Sequence, residues 1–299
     1  MTMNRLAGLI VLIGAIAAGG LFWLSTPRHT NSASLPAHSA NAANGEILYH
    51  IGGCISCHRP AKESGADMSL PSGGAALVTP IGTLYPPNIT PDAATGIGAW
   101  SDAAFVDAVQ HGVAPDGQHL IPAFPYISYG HMKVEDVIDI RAYLMTLPAV
   151  ASTRKEDDIP FSWLVRRGIG LWKILAVLPP KEADPARSQG WNRGAYLVNG
   201  PGHCAECHTP RNAFMAMDQA QAFAGGPHPE GRGVVPSLRD LIGRKKYKDI
   251  EELAAALKEG EEGFYSDLSK GGMAEVQLNI AKLPDADIHA IAEYLGSLK

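Results

Sequence analysis

NGPGHCAECHTP, residues 199–210, places two cysteines and a histidine within five positions, and HIGGCISCHRP at 50–60 repeats the arrangement. A CxxC pair can be half of a zinc site, a redox dithiol, a disulfide donor or a cofactor clamp. All four cysteines of the chain belong to these two units, which lie 150 positions apart. A structural zinc site usually brings its second ligand pair within about 20 residues, so the spacing excludes one shared ion. A thioredoxin-like dithiol would stand where a strand meets a helix, and no strand pattern precedes either copy. Four cysteines in an exported chain would also suffice for two disulfides.

The repeat extends beyond the cysteines. NGEILYHIGGCISCH (44–58) matches RGAYLVNGPGHCAECH (193–208), WSDAAFVDAVQHG (100–112) matches YKDIEELAAALKEG (247–260), and MKVEDVIDIRAYLMTL (132–147) matches LPDADIHAIAEYLGSL (283–298). A long period occurring only twice reads as duplication rather than a solenoid. Each copy predicts a short helix, the CxxCH, a long loop, a second helix, another loop and a last helix carrying a Tyr-Leu pair. Ser101 or Asp102 starts the middle helix of the first copy, and Asp249 with Glu252 forms a capping-box-like start in the second. Val137, Ile140 and Leu144 fall at helical spacing, as do Ile288, Ile291 and Leu295, and predict core faces. The expectation is an all-α fold whose long loops need a flat apolar group to pack against.

The histidine directly after each CxxC decides between the chemistries. On a helical turn the two sulfurs face the two vinyl groups of one haem, and the adjoining imidazole projects at its iron; CxxCH is the attachment signature of c-type haem. Covalent capture holds a large cofactor in a domain too small to bind it by core area alone. Two covalently bound haem c groups are therefore expected, one on Cys54, Cys57 and His58, the other on Cys204, Cys207 and His208. For the second iron, Met273 in KGGMAEVQLNIAKLPDAD, 65 residues past His208, is the expected sixth ligand, and Met/His ligation raises the potential. For the first, the loop GQHLIPAFPYISYGHMKVED offers Met132, with Met145 as the alternative, His131 as a third candidate and no sixth ligand as a fourth. Iron-binding histidines usually donate their other ring N–H to a carbonyl or carboxylate. Pro87 and Pro236 follow His58 and His208 by 29 and 28 residues, and their carbonyls are the expected acceptors.

Residues 6–24, LAGLIVLIGAIAAGGLFWL, form 19 uncharged positions after Arg5, long enough for one helix to span a bilayer. AIA at 15–17 would suit signal cleavage but leaves LFWL behind it, so a retained anchor over 1–26 is expected, followed by a flexible polar tether over 27–44 and haem domains outside the cytoplasm. With 25 Lys+Arg against 30 Asp+Glu the net charge is −5, which excludes a broadly basic nucleic-acid binder. Residues 45–148 hold 4 basic and 10 acidic side chains, a balance that favours either a basic docking partner or simply a solvated acidic face.

With these residues in view, the chain resembles the membrane-anchored multihaem c-type cytochrome subunits of bacterial periplasmic dehydrogenases for alcohols, gluconate, fructose and related substrates. YPPNITPDAATGIGAWSDAAF, HLIPAFPYISYGHM, RAYLMTLP, NGPGHCAECHTPRN and GGMAEVQLNIAKLPDADIHAIAEYL carry the resemblance. It implies two tandem class I-type cytochrome c domains, 45–148 and 191–299, joined by a linker at 149–190. It further implies electron relay from a dehydrogenase catalytic subunit to quinone or a terminal oxidase at the cytoplasmic membrane, with no catalysis of the chain's own. Many relatives carry three haems where this sequence has two motifs, and many have methionine where it has Phe124. That departure supports the alternative of a haem enzyme, such as a dihaem peroxidase or sulfur-compound dehydrogenase, with an open site at the first iron. In the linker, IPFSWLVRRGIGLWKILAVLPP mixes Trp163 and Trp172 with Arg166, Arg167 and Lys173. Such a stretch could pack across the two haem domains, meet a partner subunit or lie on a membrane.

Overall fold

A long apolar run with no proline makes the first element, α1 (Met3–Leu24), and no residue of the 18-residue stretch Ala7–Leu24 is buried. The structure is a computed structural model and describes residues 3–27, 29–153, 155–177, 179–229, 233–259 and 273–299. Next come α2 (Ala42–Ile51), whose first N–H groups at Ala43 and Asn44 are taken by the Asn41 side chain, and the short α3 (Cys54–His58). A small antiparallel hairpin follows, β1 (Leu77–Thr79) with β2 (Gly82–Leu84), Leu77 opposite Leu84. Then α4 (Asp102–Val106), capped by Ser101, widens into a π-helical turn over 107–111 before α5 (Tyr126–Tyr129) and α6 (Val134–Leu144).

The linker supplies α7 (Ser162–Ala176). Beyond it lie α8 (Gln189–Asn199), capped by Ser188, and α9 (Ala205–His208), then β3 (Gly226–Pro227) paired with β4 (Val234–Val235). The chain ends in α10 (Ile250–Glu259), α11 (Met273–Ile280) and α12 (Asp285–Ser297). Asp249 accepts the Glu252 N–H at the start of α10, while the Glu252 carboxylate reaches back to the Lys248 N–H instead of that of Asp249. Helices dominate as expected; the two hairpins were not foreseen, being too short to show an alternating pattern.

Helix α2 packs across α6, and α8 across α12. At each crossing a glycine lets two backbones touch. A Cβ on Gly45 would stand 1.9 Å from the Asp139 carbonyl oxygen, and one on Gly194 only 1.8 Å from that of Ala290. Leu48, Val137 and Leu144 from the first pair and Leu197, Ile288 and Ile291 from the second are buried in one continuous core. Each such side chain contributes about 1.5–3 kcal/mol when fully buried.

The polar segment expected to be a flexible tether is bonded to the first helical unit. The Thr30 N–H and hydroxyl donate to the buried Asp107 carboxylate, and His29 Nδ1 lies 3.2 Å from it. Further on, His38 Nε2 and the Asn41 N–H each stand 2.7 Å from Asp139 Oδ1, with Asn44 Nδ2 2.8 Å from Oδ2. Burial alone would raise the Asp139 carboxyl, but the bonds from Asn41, His38 and Asn44 outweigh it and hold the group below the usual range. A depressed carboxyl stabilises the fold above its unfolded value of about 3.9 and loses that contribution as pH falls through the folded value. Limited proteolysis should thus find residues 29–41 cut slowly at neutral pH and readily only once pH has fallen from about 3.9 through the depressed Asp139 value. Asp139→Asn should weaken this attachment already at neutral pH, by about 1–3 kcal/mol.

Candidate functional site

Each CxxCH coils into a helical turn that puts its histidine inside and its cysteines together. In the first copy Gly53 enters this turn in the left-handed region, at φ 57°, and in the second His203 does so at φ 40°. His58 and His208 are buried at 8% and 7% exposure. His58 Nδ1 stands 2.7 Å from the Pro87 carbonyl oxygen and His208 Nδ1 stands 2.8 Å from that of Pro236, as expected from the spacing. Such a bond fixes the tautomer, turning Nε2 into the nitrogen that can bind a metal. Burial outweighs the raising effect of the Pro236 carbonyl and holds the His208 imidazole below its ordinary pKa, which favours the neutral form a metal requires.

Sequence reasoning missed two glycines that make this geometry. Gly73 donates its N–H to the His58 carbonyl at 2.7 Å, and Gly225 donates to that of His208 at 2.8 Å. Both adopt φ 75°, and a Cβ would lie 2.4 Å from the Pro87 carbonyl carbon at the first and 2.7 Å from that of Pro236 at the second. Each glycine therefore lets the proline-bearing segment close on the histidine. The doublets SGGA (72–75) and AGGP (224–227) were the available signal.

No disulfide joins the four cysteines, so that alternative falls. Burial pushes the Cys54 and Cys204 thiols up to about 12, the opposite of the lowered value of a redox dithiol. Among the described residues no group of three or more His, Cys, Asp or Glu side chains is arranged to hold a metal. What each motif offers is two thiols on one turn and one oriented imidazole, a donor set suited to covalent haem with a proximal histidine.

The two motifs also touch each other. A Cβ on Gly202 would lie 3.3 Å from Ile51, and His203 Nε2 is 3.3 Å from the Gly52 carbonyl oxygen. The Tyr129 hydroxyl donates to that same carbonyl at 2.9 Å, and its ring meets His203 edge-on at 5.7 Å. The contacts are reciprocal. Ser56, inside CISCH, accepts from Asn279 Nδ2 on α11, and its counterpart Glu206, inside CAECH, accepts from the Ser128 hydroxyl on α5. Glu206 is held in turn by Arg211 at 2.8 Å. The half-exposed pair Arg59–Glu275 spans the same boundary and contributes at most about 1 kcal/mol.

The remaining candidates separate in space. Met132 is buried in the core, its Cγ 3.5 Å from where a Cβ on Gly200 would sit. Its N–H closes a turn onto the Tyr129 carbonyl two residues before α6, just as the Leu283 N–H closes one onto Ile280 two residues before α12. The two are structural counterparts, and leucine has no donor atom. Met145 caps α6 and packs partly buried on the core. His131 Nδ1 accepts the Lys181 N–H from the linker. Phe124 stands 6.4 Å from the His58 ring and perpendicular to it, with Tyr129 5.5 Å further along. Met273 opens α11 half-buried; the stretch 260–272 leading to it lies outside the described residues.

The cytochrome c family model matches residues 42–148. A dihaem cytochrome c-type protein of Cereibacter sphaeroides is 39% identical over 297 residues, 99% of this chain and 98% of the relative. The fructose dehydrogenase cytochrome subunit of Gluconobacter japonicus is 35% identical and the gluconate 2-dehydrogenase cytochrome c subunit of Pantoea cypripedii 36% identical, each over 88% of this chain. The chain spans only 53% and 60% of those two subunits. Two CxxCH turns with oriented histidines, together with a relative matched end to end, give the conclusion: this chain belongs to the dihaem c-type cytochromes, electron-transfer proteins that hold two covalently bound haem c groups.

Proposed function

We propose that the chain relays electrons from the catalytic subunit of a periplasmic dehydrogenase, through its two haems, to quinone or a terminal respiratory acceptor. In this reading two tandem class I-type cytochrome c domains, 45–148 and 191–299, are joined by 149–190 and hung from the cytoplasmic membrane by α1. The observation that carries it is the direct packing of one CxxCH segment on the other through Gly52, His203 and Ile51. Electron transfer falls steeply with distance, so adjoining motifs suit a relay better than two separate stations. The names of the fructose and gluconate dehydrogenase subunits support the partner class.

Bound haem supplies the one-electron chemistry, and the protein supplies position and potential. Cys54, Cys57, Cys204 and Cys207 would hold the two groups, and His58 and His208 would bind iron through Nε2 while the Pro87 and Pro236 carbonyls keep the rings from turning. Met273 is the proposed sixth ligand of the second haem. For the first, the match of Met132 to Leu283 speaks for packing, and the position of Phe124 supports an aromatic ring over the face opposite His58.

That arrangement also favours a second reading, in which the first haem is a substrate site of a peroxidase or sulfur-compound dehydrogenase. Turnover of peroxide or a reduced sulfur compound by the purified chain would support it over the relay. The relay itself is tested by His208→Ala in a complex that still assembles. Electron delivery to the acceptor should fall to background; unchanged delivery would leave the chain a scaffold.

A further inference from the structure

Helix α7 is built inside out for a surface helix in water. Its basic side chains Arg166 and Lys173 point inward: Arg166 donates to the His119 carbonyl and pairs with Asp157 at 2.8 Å, and Lys173 Nζ donates to the His111 and Gly112 carbonyls. The outward face carries Trp163 at 69%, Leu164 at 62%, Ile174 at 59% and Leu175 at 63% exposure. These four fall on one stripe at 100° per residue. The patch continues past α7, because Trp172 Nε1 donates to the Phe214 carbonyl and both Phe214 and Met215 are exposed. The inner face of α7 also bridges the two helical units, Ala176 and Trp172 sharing an apolar cluster with Tyr126, Ile127 and Ala216.

The position of the patch says what covers it. Arg167 Nη2 donates to the Phe22 carbonyl at the last turn of α1 at 2.9 Å, and its guanidinium lies 4.1 Å over the Phe22 ring. One residue on from that turn, the Ser25 carbonyl stands 2.9 Å from His119 Nε2. Gly170 makes the approach fit, since a Cβ there would lie 2.6 Å from the Ser25 carbonyl oxygen. The end of α1, His119 and α7 are thus one bonded unit. If α1 spans a bilayer, its last turn with Trp23 marks the interface, and α7 is fixed at the same depth.

We propose that the apolar face of α7 lies in the membrane interface beside the exit of α1, so that the haem-bearing body is seated on the bilayer and not merely suspended from it. The inference rests on reading α1 as a membrane span. Because Arg166 and Lys173 bond inward and Arg167, which lies within the stripe, is taken by the Phe22 carbonyl and ring, the contact is made by apolar area, and neither salt nor the anionic lipid fraction should govern it.

The full-length chain with both haems can be placed in phosphatidylcholine vesicles containing a phospholipid with a diazirine on its acyl chain, irradiated, and its adducts mapped by mass spectrometry. Adducts within 163–175 as well as in α1, unchanged in high salt, are the expected result. Adducts in α1 but none in α7 would overturn the inference and leave the anchor standing; adducts in neither would remove both. Crosslinking of α7 to a co-purified subunit in place of lipid would assign the face to a protein partner and also overturn it. Leu164→Glu combined with Leu175→Glu changes only exposed positions, so the haem spectrum should be kept, the α7 adducts lost and those of α1 retained.

Discussion

Gly45→Ala and Gly194→Ala are each expected to lower the stability of the haem-loaded chain by about 3 kcal/mol or more. The reason is steric. A methyl at either position would sit under 2 Å from a carbonyl oxygen of the crossing helix, so the helices must separate and the buried stripes behind them must open. Overpacking of side chains costs about 1–3 kcal/mol, more when rigid backbone is what must move. Calorimetry should show a drop in Tm on the order of 10 °C at the helix pair concerned. Gly168→Ala is the control. Nothing lies within 4 Å of a Cβ there, and the gain in helix propensity of about 1 kcal/mol should leave Tm unchanged or raise it. An unchanged or raised Tm at all three positions would show that propensity, not the crossing, governs these glycines.

Phe124→Met is expected to change the state of about half the iron. In the proposed arrangement, with the Phe124 ring opposite His58 in place of a thioether, the ferric first haem should contribute a high-spin signal. A methionine at 124 would place sulfur near that face, convert the signal to low spin and raise that haem's potential. The second haem, ligated by His208 and the proposed Met273, should not respond. Met132→Leu supplies the contrast: it copies what the second unit holds at Leu283, so both spectra should be unchanged. A high-spin signal appearing only in the Met132→Leu chain would restore Met132 as the ligand and place Phe124 in the packing.

Much of this arrangement was legible in the sequence because its signals are local. The CxxCH turns, the Ser101 cap and the stripes of Val137 and Ile288 depend on near neighbours in the chain, and the carbonyls of Pro87 and Pro236 followed from the repeat. What escaped depends on three-dimensional register. Met132 precedes the last helix, as Met273 does, which made it a candidate ligand; the repeat already set it against Leu283, and its burial and shared turn favour packing. Gly73 and Gly225 act through backbone approach, which leaves no side-chain pattern. For α7 the periodicity was plain, but periodicity does not say which face points inward, and the carbonyls of His111, Gly112 and His119 hold Arg166 and Lys173 on the inner face.

The central claim is that one chain carries electrons between its two haems. It is tested most directly by injecting less than one electron per oxidised, full-length chain with a photoreductant and following the absorbance of both haems. The relay predicts redistribution between the haems at a rate independent of protein concentration. A redistribution rate proportional to protein concentration would mean that electrons pass only between molecules, and would contradict it.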